Sequence, residues 1–301
     1  MQHPLALVKG DTIAIASTAR FVLPHELESA IKTIENKGYK SVLSESVYAQ
    51  YHQFGGTDQE RIRGLQLLMD DPMVKAIWFA RGGYGTARII DQLNFDKFIV
   101  HPKWLIGFSD LTVLLNHVCQ NYDITCLHAP MAMQCDSGNI LHHAKDIDLI
   151  FDILTGKSLS YDFKPHPLNI PGNCTGNLVG GNLSVLYSLL GTASFPYTNG
   201  KILFLEDLDE YLYHIDRMVL NLKRNGVFNH LAGLIVGGMT DMNDNAVPFG
   251  STAEQIILEH TREFKFPKYF GFDAGHGIPN QPLIIGSEGI IKNNTLFLKA
   301  S

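Results

Sequence analysis

Apolar positions along the first half of the chain switch repeatedly between two periods. Thr12 to Ala16 is a short β-prone run, and Leu27, Ala30, Ile31 and Ile34 then recur at i, i+3, i+4 and i+7 until Gly38 supplies a stop. Thr57 and Glu60 form a capping box ahead of Ile62, Leu65 and Leu68, and Ala76 to Ala80 is the next buried strand. Ile89, Ile90 and Leu93 predict a short helix, Trp104 to Phe108 a strand, and Leu111, Leu114, Leu115 and Val118 the helix after it. Strands alternating with helices predict βαβ units and a parallel sheet covered on both faces, so the fold class is α/β.

From Asp152 to Gly172 the periodicity fades and Pro165, Pro167, Pro171 and Gly172 interrupt it, which predicts a linker. The chain is accordingly divided into an N-terminal α/β domain at 1–151, a linker and specificity segment at 152–173, and a C-terminal β/α domain at 174–301. Beyond the linker come a helix at Leu183 to Leu190 ended by Gly191, a strand at Ile202 to Leu205, and a helix carrying Leu212, Ile215, Val219 and Leu222. A strand at Leu231 to Val236, a helix capped by Thr252 and Gln255, a strand at Tyr269 to Phe272 and a hairpin over Gly289 to Leu298 around Asn293 and Asn294 complete the pattern.

Composition narrows the class. The 301 residues make room for one large domain or two medium ones. Hydrophobic residues reach 45% and charged ones only 18%, which excludes a disordered chain. A net charge of −6 without any cluster of Lys and Arg removes the electrostatic basis for a nucleic-acid or anionic-membrane partner. The longest apolar stretch, Leu231 to Met239, is about half of a bilayer span. Met1 to Val8 carries no Lys or Arg ahead of an apolar run, so no secretory signal and a cytoplasmic location are expected. Cys119, Cys126, Cys135 and Cys174 form no C-x-x-C pair and are expected to be reduced core thiols.

In open α/β sheets ligands bind beyond the carboxyl ends of the strands, so the residues just after each strand carry the candidate chemistry. Arg81-Gly82-Gly83-Tyr84-Gly85 follows one strand, and its glycines leave backbone N–H groups free to cradle an anion or oxyanion. Arg88 stands where a dinucleotide fingerprint needs its third glycine, and no phosphate-loop sequence is present. Ser109 follows the strand at Trp104 to Phe108, where a sharp turn would expose its Oγ as in a nucleophile elbow; a serine there is equally a helix N-cap. Glu206 follows Ile202 to Leu205, ahead of Asp207, Asp209 and Glu210, which also suit the first turn of a helix. His276 lies between glycines in Asp273-Ala274-Gly275-His276-Gly277. Ser, Glu and His occur in the chain order of α/β-hydrolase triads, and His142, His143 and Asp146 share a helix face without any standard metal-ligand spacing, so no metal site is expected.

Five segments together resemble the LD-carboxypeptidases, serine peptidases of the muramoyltetrapeptide carboxypeptidase and microcin-immunity type. They are Leu7-Val8-Lys9-Gly10-Asp11-Thr12-Ile13, Arg81 to Gly85, Ile106-Gly107-Phe108-Ser109-Asp110-Leu111-Thr112, Gly180-Gly181-Asn182-Leu183 and Gly275-His276-Gly277, spread from about residue 5 to residue 298. The resemblance implies Ser109 as nucleophile, His276 as general base, Glu206 as triad acid, and the backbone amides of Gly83 and Asp110 as oxyanion hole. It also implies a Rossmann-like N-terminal domain, a mixed C-terminal domain, a site between them, a homodimer, no cofactor, and a murein-derived peptide substrate losing a terminal D-amino acid, D-Ala. Ala16-Ser17-Thr18-Ala19 lacks the proline that usually follows the family's first strand. Arg81 stands either as counter-ion for the substrate carboxylate or as partner of a nearby acid, and the pocket lining is expected from Asp152 to Asn173 and Leu208 to Ile215. Two alternatives remain: an amidase of the microcin-immunity branch acting on aminoacyl nucleotides, and a non-catalytic binding module for a small ligand.

Overall fold

The computed structural model describes the backbone of residues 1–136 and 140–300, and their side chains apart from 136 and 140–143. The first half runs β1 (Thr12–Ala16), α1 (Pro24–Asn36), β2 (Lys40–Leu43), α2 (Asp58–Asp70), β3 (Val74–Phe79), α3 (Asp96–Val100), β4 (Trp104–Gly107), α4 (Thr112–Tyr122), β5 (Cys126–His128) and α5 (Ile140–Leu154). The second half runs β6 (Leu159–Asp162), β7 (Cys174–Asn182), α6 (Leu183–Leu189), β8 (Ile202–Leu208), α7 (Leu212–Arg224), β9 (Gly233–Thr240), α8 (Ala253–Thr261), β10 (Lys268–Tyr269), β11 (Leu283–Ile285), β12 (Glu288–Lys292) and β13 (Thr295–Leu298).

Two sheets carry the molecule. In the first, β5, β4, β3, β1 and β2 are parallel neighbours in that order. In the second, β10, β9, β8 and β7 are parallel and β12, β13 and β6 continue it antiparallel. The βαβ alternation read from the pattern is thus an α/β fold, and the capping box at Thr57 and Glu60 opens α2 with both of its reciprocal bonds. Asn293 and Asn294 turn the β12–β13 hairpin with φ of 52° and 60°, the left-handed pair that a tight hairpin turn requires.

Several elements differ from the pattern. Residues 152–173 hold the end of α5 and β6, which pairs with β13 at the far edge of the second sheet. β11 returns from the C-terminal half to pair antiparallel with β5, so the first sheet draws a strand from beyond residue 174. β5 and β11 have three residues each, too short for any periodicity to register. β7 was hidden by its Gly180-Gly181-Asn182 end, which reads as a turn. In place of the helix expected at Ile89 to Leu93 stands one 3₁₀ turn, Ile90–Gln92, preceded by another at Thr86–Arg88, since Leu93 already has extended backbone. The strand expected at Tyr269 to Phe272 is only β10, because Gly271 has a φ of 68° and Phe270 N donates to Asn169 Oδ1 instead of a ladder.

One apolar core spans both sheets, including Ile106 and Leu127 from the first and Phe204 and Ile235 from the second. The helix α4 lies in that space, so Thr112 to Cys119 are buried on every side rather than along one stripe. Its Asn116 is satisfied by β7: Nδ2 donates to Gly180 O at 2.9 Å and Oδ1 accepts from Gly180 N at 3.0 Å. This exchange locks the helix that begins beside Ser109 to the sheet that carries Glu206. Among the described residues no helix is long and apolar enough to cross a membrane.

Candidate active site

Two residues past β4, Ser109 adopts a φ of 59°, left-handed backbone that costs a residue with a Cβ about 1–2 kcal/mol. Neighbouring bonds hold the turn. Leu111 N donates to Phe108 O at 3.1 Å, and the buried Asp110 carboxylate accepts from Thr86 N at 2.8 Å, tying the serine turn to the glycine turn after β3. Burial pushes the Asp110 carboxyl up, against the pull of hydrogen bonds from Thr86 and Gly85 and the charge of Arg61. Arg61 itself is fully buried and donates to both Thr18 O and Gly85 O, so the turn after β1, which lacks the family's proline, is clamped to the glycine turn by a guanidinium.

The carboxylate side of the site comes from β8. Its strand geometry persists through residue 208, so Glu206 and Asp207 emerge on opposite faces. Leu205 pairs with Val236 and Asp207 with Met239, which leaves Gly237 and Gly238 opposite Glu206 as a β-bulge at the rim of the site. Asp207 turns to the start of α6, accepting from Asn182 Nδ2 at 2.9 Å and Ser184 N at 2.8 Å. Burial, with the charge of Glu206 beside it, pushes Asp207 up to about 7. Glu206 is fully buried, and its Oε2 accepts from His276 Nδ1 at 2.7 Å. This approach needs glycine at 275, where φ is 113° and a Cβ would come within 2.6 Å of Glu206 Oε2.

The imidazole bridges the two sheets. His276 Nε2 lies 3.1 Å from Ser109 Oγ. With a carboxylate on Nδ1, the proton resides there, and the Nε2 lone pair faces the hydroxyl that donates to it. The His276 ring rests on Phe108 at 4.8 Å between centroids. Burial alone would lower its pKa, but the hydrogen bond and charge of Glu206, with the charge of Asp207, leave it raised above the usual 6.5. Behind the pair, fully buried His128 is pulled down to about 4 by burial and stays neutral, so no second cation competes for Glu206.

Ser109, His276 and Glu206 are therefore brought together, and the amides of Gly83 and Asp110 border the same turn without a protein acceptor among the described residues. Such an arrangement can activate a hydroxyl and receive an oxyanion. The cleft over it measures about 660 Å³ and is lined by Gly82, Gly83, Phe108, Met131 and Val185, with Leu208, Asp209 and Glu210 from the stretch expected there. Residues between 163 and 171 instead border a separate groove with Tyr269 and Asn294, because the chain there runs from β6 at one edge of the second sheet to β10 at the other, where Ile170 bridges Lys268. Arg81 lines the cleft but sits 3.7 Å from Glu26 Oε1.

Neither Arg20 nor Arg61 stands out in the sequence, and Asn182 and Gly275 stand there only as members of motifs, without a role of their own. Arg61 shares the helical spacing of Leu65 and Leu68, a charge on an apolar stripe that could have marked it. His142 and His143 lie outside the described residues as far as their side chains go, and Asp146 accepts from Asn280 N at 2.8 Å, bracing the His276 loop. Among the described residues no three His, Cys, Asp or Glu side chains gather as a metal site would require.

Comparison with known proteins matches residues 12–129 to the LD-carboxypeptidase N-terminal domain and residues 175–291 to the LD-carboxypeptidase C-terminal domain. The chain is 34% identical to a probable murein peptide carboxypeptidase of Bacillus subtilis over 95% of this chain and 90% of that protein. It is 26% identical to the microcin C7 self-immunity protein MccF of Escherichia coli over 94% and 92% of the two chains. The crystal structure of muramoyltetrapeptide carboxypeptidase from Oxalobacter formigenes superposes with a TM-score of 0.83 at 25% identity, covering 95% of this chain and 97% of that one. With both domain models matched in order and a relative above 30% identity along almost its whole length, this chain belongs to the LD-carboxypeptidase family of serine-type carboxypeptidases.

Proposed function

We propose that this protein releases the terminal D-amino acid, D-Ala, from murein tetrapeptides through an acyl-enzyme on Ser109. The observation that carries the reading is the unbroken hydrogen-bonded line from Glu206 through His276 to Ser109, beside two unengaged backbone amides. His276 Nε2 takes the Ser109 proton as Oγ attacks the carbonyl carbon of the scissile amide. The tetrahedral oxyanion is held by the Gly83 and Asp110 amides. Its collapse breaks the C–N bond, and the departing amine takes the proton from His276. Water then attacks the ester, giving its proton to His276, and Ser109 leaves with that proton. Glu206 keeps the imidazole in the useful tautomer and stabilises the imidazolium in both halves.

Relatives named for murein peptides support the substrate class. The same reading places the enzyme in the cytoplasm on recycled murein fragments, as a homodimer, with chemistry supplied by side chains and backbone alone. The likeness to the microcin immunity protein favours a second reading, cleavage of an aminoacyl nucleotide amide by the same triad. Mass spectrometry after incubation with a murein tetrapeptide and, separately, an aminoacyl sulfamoyl nucleoside tests both. Loss of one D-Ala from the tetrapeptide is expected, and cleavage of the nucleoside alone would transfer the chain to the second reading.

A further inference from the structure

The cleft presents two arginines in different states. The guanidinium of Arg81 is turned toward α1, with Nη1 3.7 Å from Glu26 Oε1 and 3.5 Å from Phe21 O. Arg20 is exposed at the cleft wall, and among the described residues its guanidinium pairs with no carboxylate. Its position is set by the glycine turn. Arg20 N donates to Gly82 O at 3.3 Å, and its stem crosses Gly83 so closely that a Cβ there would lie 2.7 Å from Arg20 Cγ and Cδ and 3.0 Å from Nε. Gly82 in turn abuts the nucleophile, since a Cβ on it would meet Ser109 Oγ at 3.2 Å. The arginine therefore lies against Gly83, the proposed oxyanion-hole residue, whose neighbour Gly82 abuts Ser109.

A carboxypeptidase must read a negative charge at a short, set distance from the bond it cuts. In a C-terminal residue the carboxylate carbon is separated from the scissile nitrogen by one N–Cα and one Cα–C bond, so it lies within about 4 Å of the scissile carbon. A cation bordering the oxyanion site meets that demand. Elsewhere on the cleft lining, Asp209 and Glu210 would repel a carboxylate, which leaves the arginine wall as the side where the leaving residue's charge can rest. Of the two arginines, Arg20 can close a two-pronged bond without giving up a partner, whereas Arg81 would first have to leave Glu26.

We propose that Arg20 is the specificity-determining residue that binds the α-carboxylate of the departing D-amino acid. This rests on the carboxypeptidase reading above. The test is steady-state kinetics on a D-Ala-terminated tetrapeptide and on its C-terminal amide, using the wild type, Arg20→Ala, Arg20→Lys and Arg81→Ala, with circular dichroism to compare the folds. The wild type should strongly prefer the free acid. Arg20→Ala should raise KM and lower kcat/KM for the acid by about 10²–10³, and its preference for acid over amide should collapse. Arg20→Lys should recover part of that preference, because a point charge replaces a fork. Arg81→Ala should retain it. A wild type that prefers the acid alongside an Arg20→Ala that still does so overturns the assignment of Arg20 while leaving the carboxypeptidase reading standing, and loss of the preference in Arg81→Ala transfers the role to Arg81. A wild type that releases no D-Ala from either peptide overturns the carboxypeptidase reading and the Arg20 proposal with it.

Discussion

Replacing Glu206 with Gln keeps the volume and removes one buried negative charge whose Oε2 lies 2.7 Å from His276 Nδ1. Charge centres about 4 Å apart at an effective dielectric of about 20 interact by about 4 kcal/mol. In the proposed mechanism that energy stabilises the imidazolium formed during attack, and its loss corresponds to about 10³ in rate. The amide can also present its NH₂ to Nδ1. His276 would then carry its proton on Nε2, where it could not accept from Ser109, and in a serine triad this loss reaches about 10⁴. Glu206→Gln should therefore lower kcat/KM on a D-Ala-terminated tetrapeptide by about 10³–10⁴. The pH profile adds a second reading. In the proposed mechanism activity requires neutral His276, so it should fall as pH drops through that group's pKa. Taking away the Glu206 bond and charge leaves burial as the larger influence, and the acid limb should move to lower pH. The comparison variant is Asp207→Asn, which alters a carboxylate pointed at α6 and should cost far less activity. Both would be measured from about pH 5 to 9, with thermal melts. A Glu206→Gln enzyme within tenfold of wild type, or an Asp207→Asn enzyme crippled in its place, would refute the assignment.

Ser109→Ala should lower turnover by about 10⁴ or more while leaving the melting temperature near wild type, since among the described residues the Oγ hydrogen-bonds only to His276; activity within tenfold would remove Ser109 from the mechanism. Gly275→Ala drives a Cβ to 2.6 Å from Glu206 Oε2 at a φ of 113°, so calorimetry should show a destabilisation of about 1–3 kcal/mol and kinetics a loss of about 10² or more; a neutral variant would show that the loop relaxes freely. The folded Asp207 titrates at about 7 against an ordinary 3.8, so between those values the native state holds a proton the unfolded chain has released. Stability should consequently fall as pH rises through that window, and denaturant melts of Asp207→Asn should show a shallower fall; an unchanged slope would place the titration elsewhere.

Local pattern alone determined the parts of this protein whose physics is local. Short continuous apolar runs placed β1, β3 and β4 and a recurrence of three to four placed α1, α2 and α4, because the burial each element needs is written in near neighbours in sequence. Asn293 and Asn294 marked their hairpin because left-handed backbone is cheapest for such residues. Ser109 and Glu206 were legible at or near the carboxyl ends of parallel strands, where an α/β sheet leaves side chains free, whereas His276, seven residues beyond β10, was legible only by its flanking glycines. Their meeting was not legible, because it depends on two sheets sharing one core and on a bulge at Gly237 and Gly238 that shifts β8 against β9. The same holds for β11, whose three residues join the first sheet from far along the chain, Leu283 lying 155 positions beyond its partner His128, through hydrogen bonds that no local period encodes. Arg61 and Arg20 are a matched case. Each is one arginine in a sequence, yet the tertiary structure buries the first between Thr18 O and Gly85 O and leaves the second across Gly83 without a carboxylate partner among the described residues. What a charged side chain does is decided by which backbone groups and carboxylates surround it once the chain is folded, and those come from segments that sequence spacing does not relate.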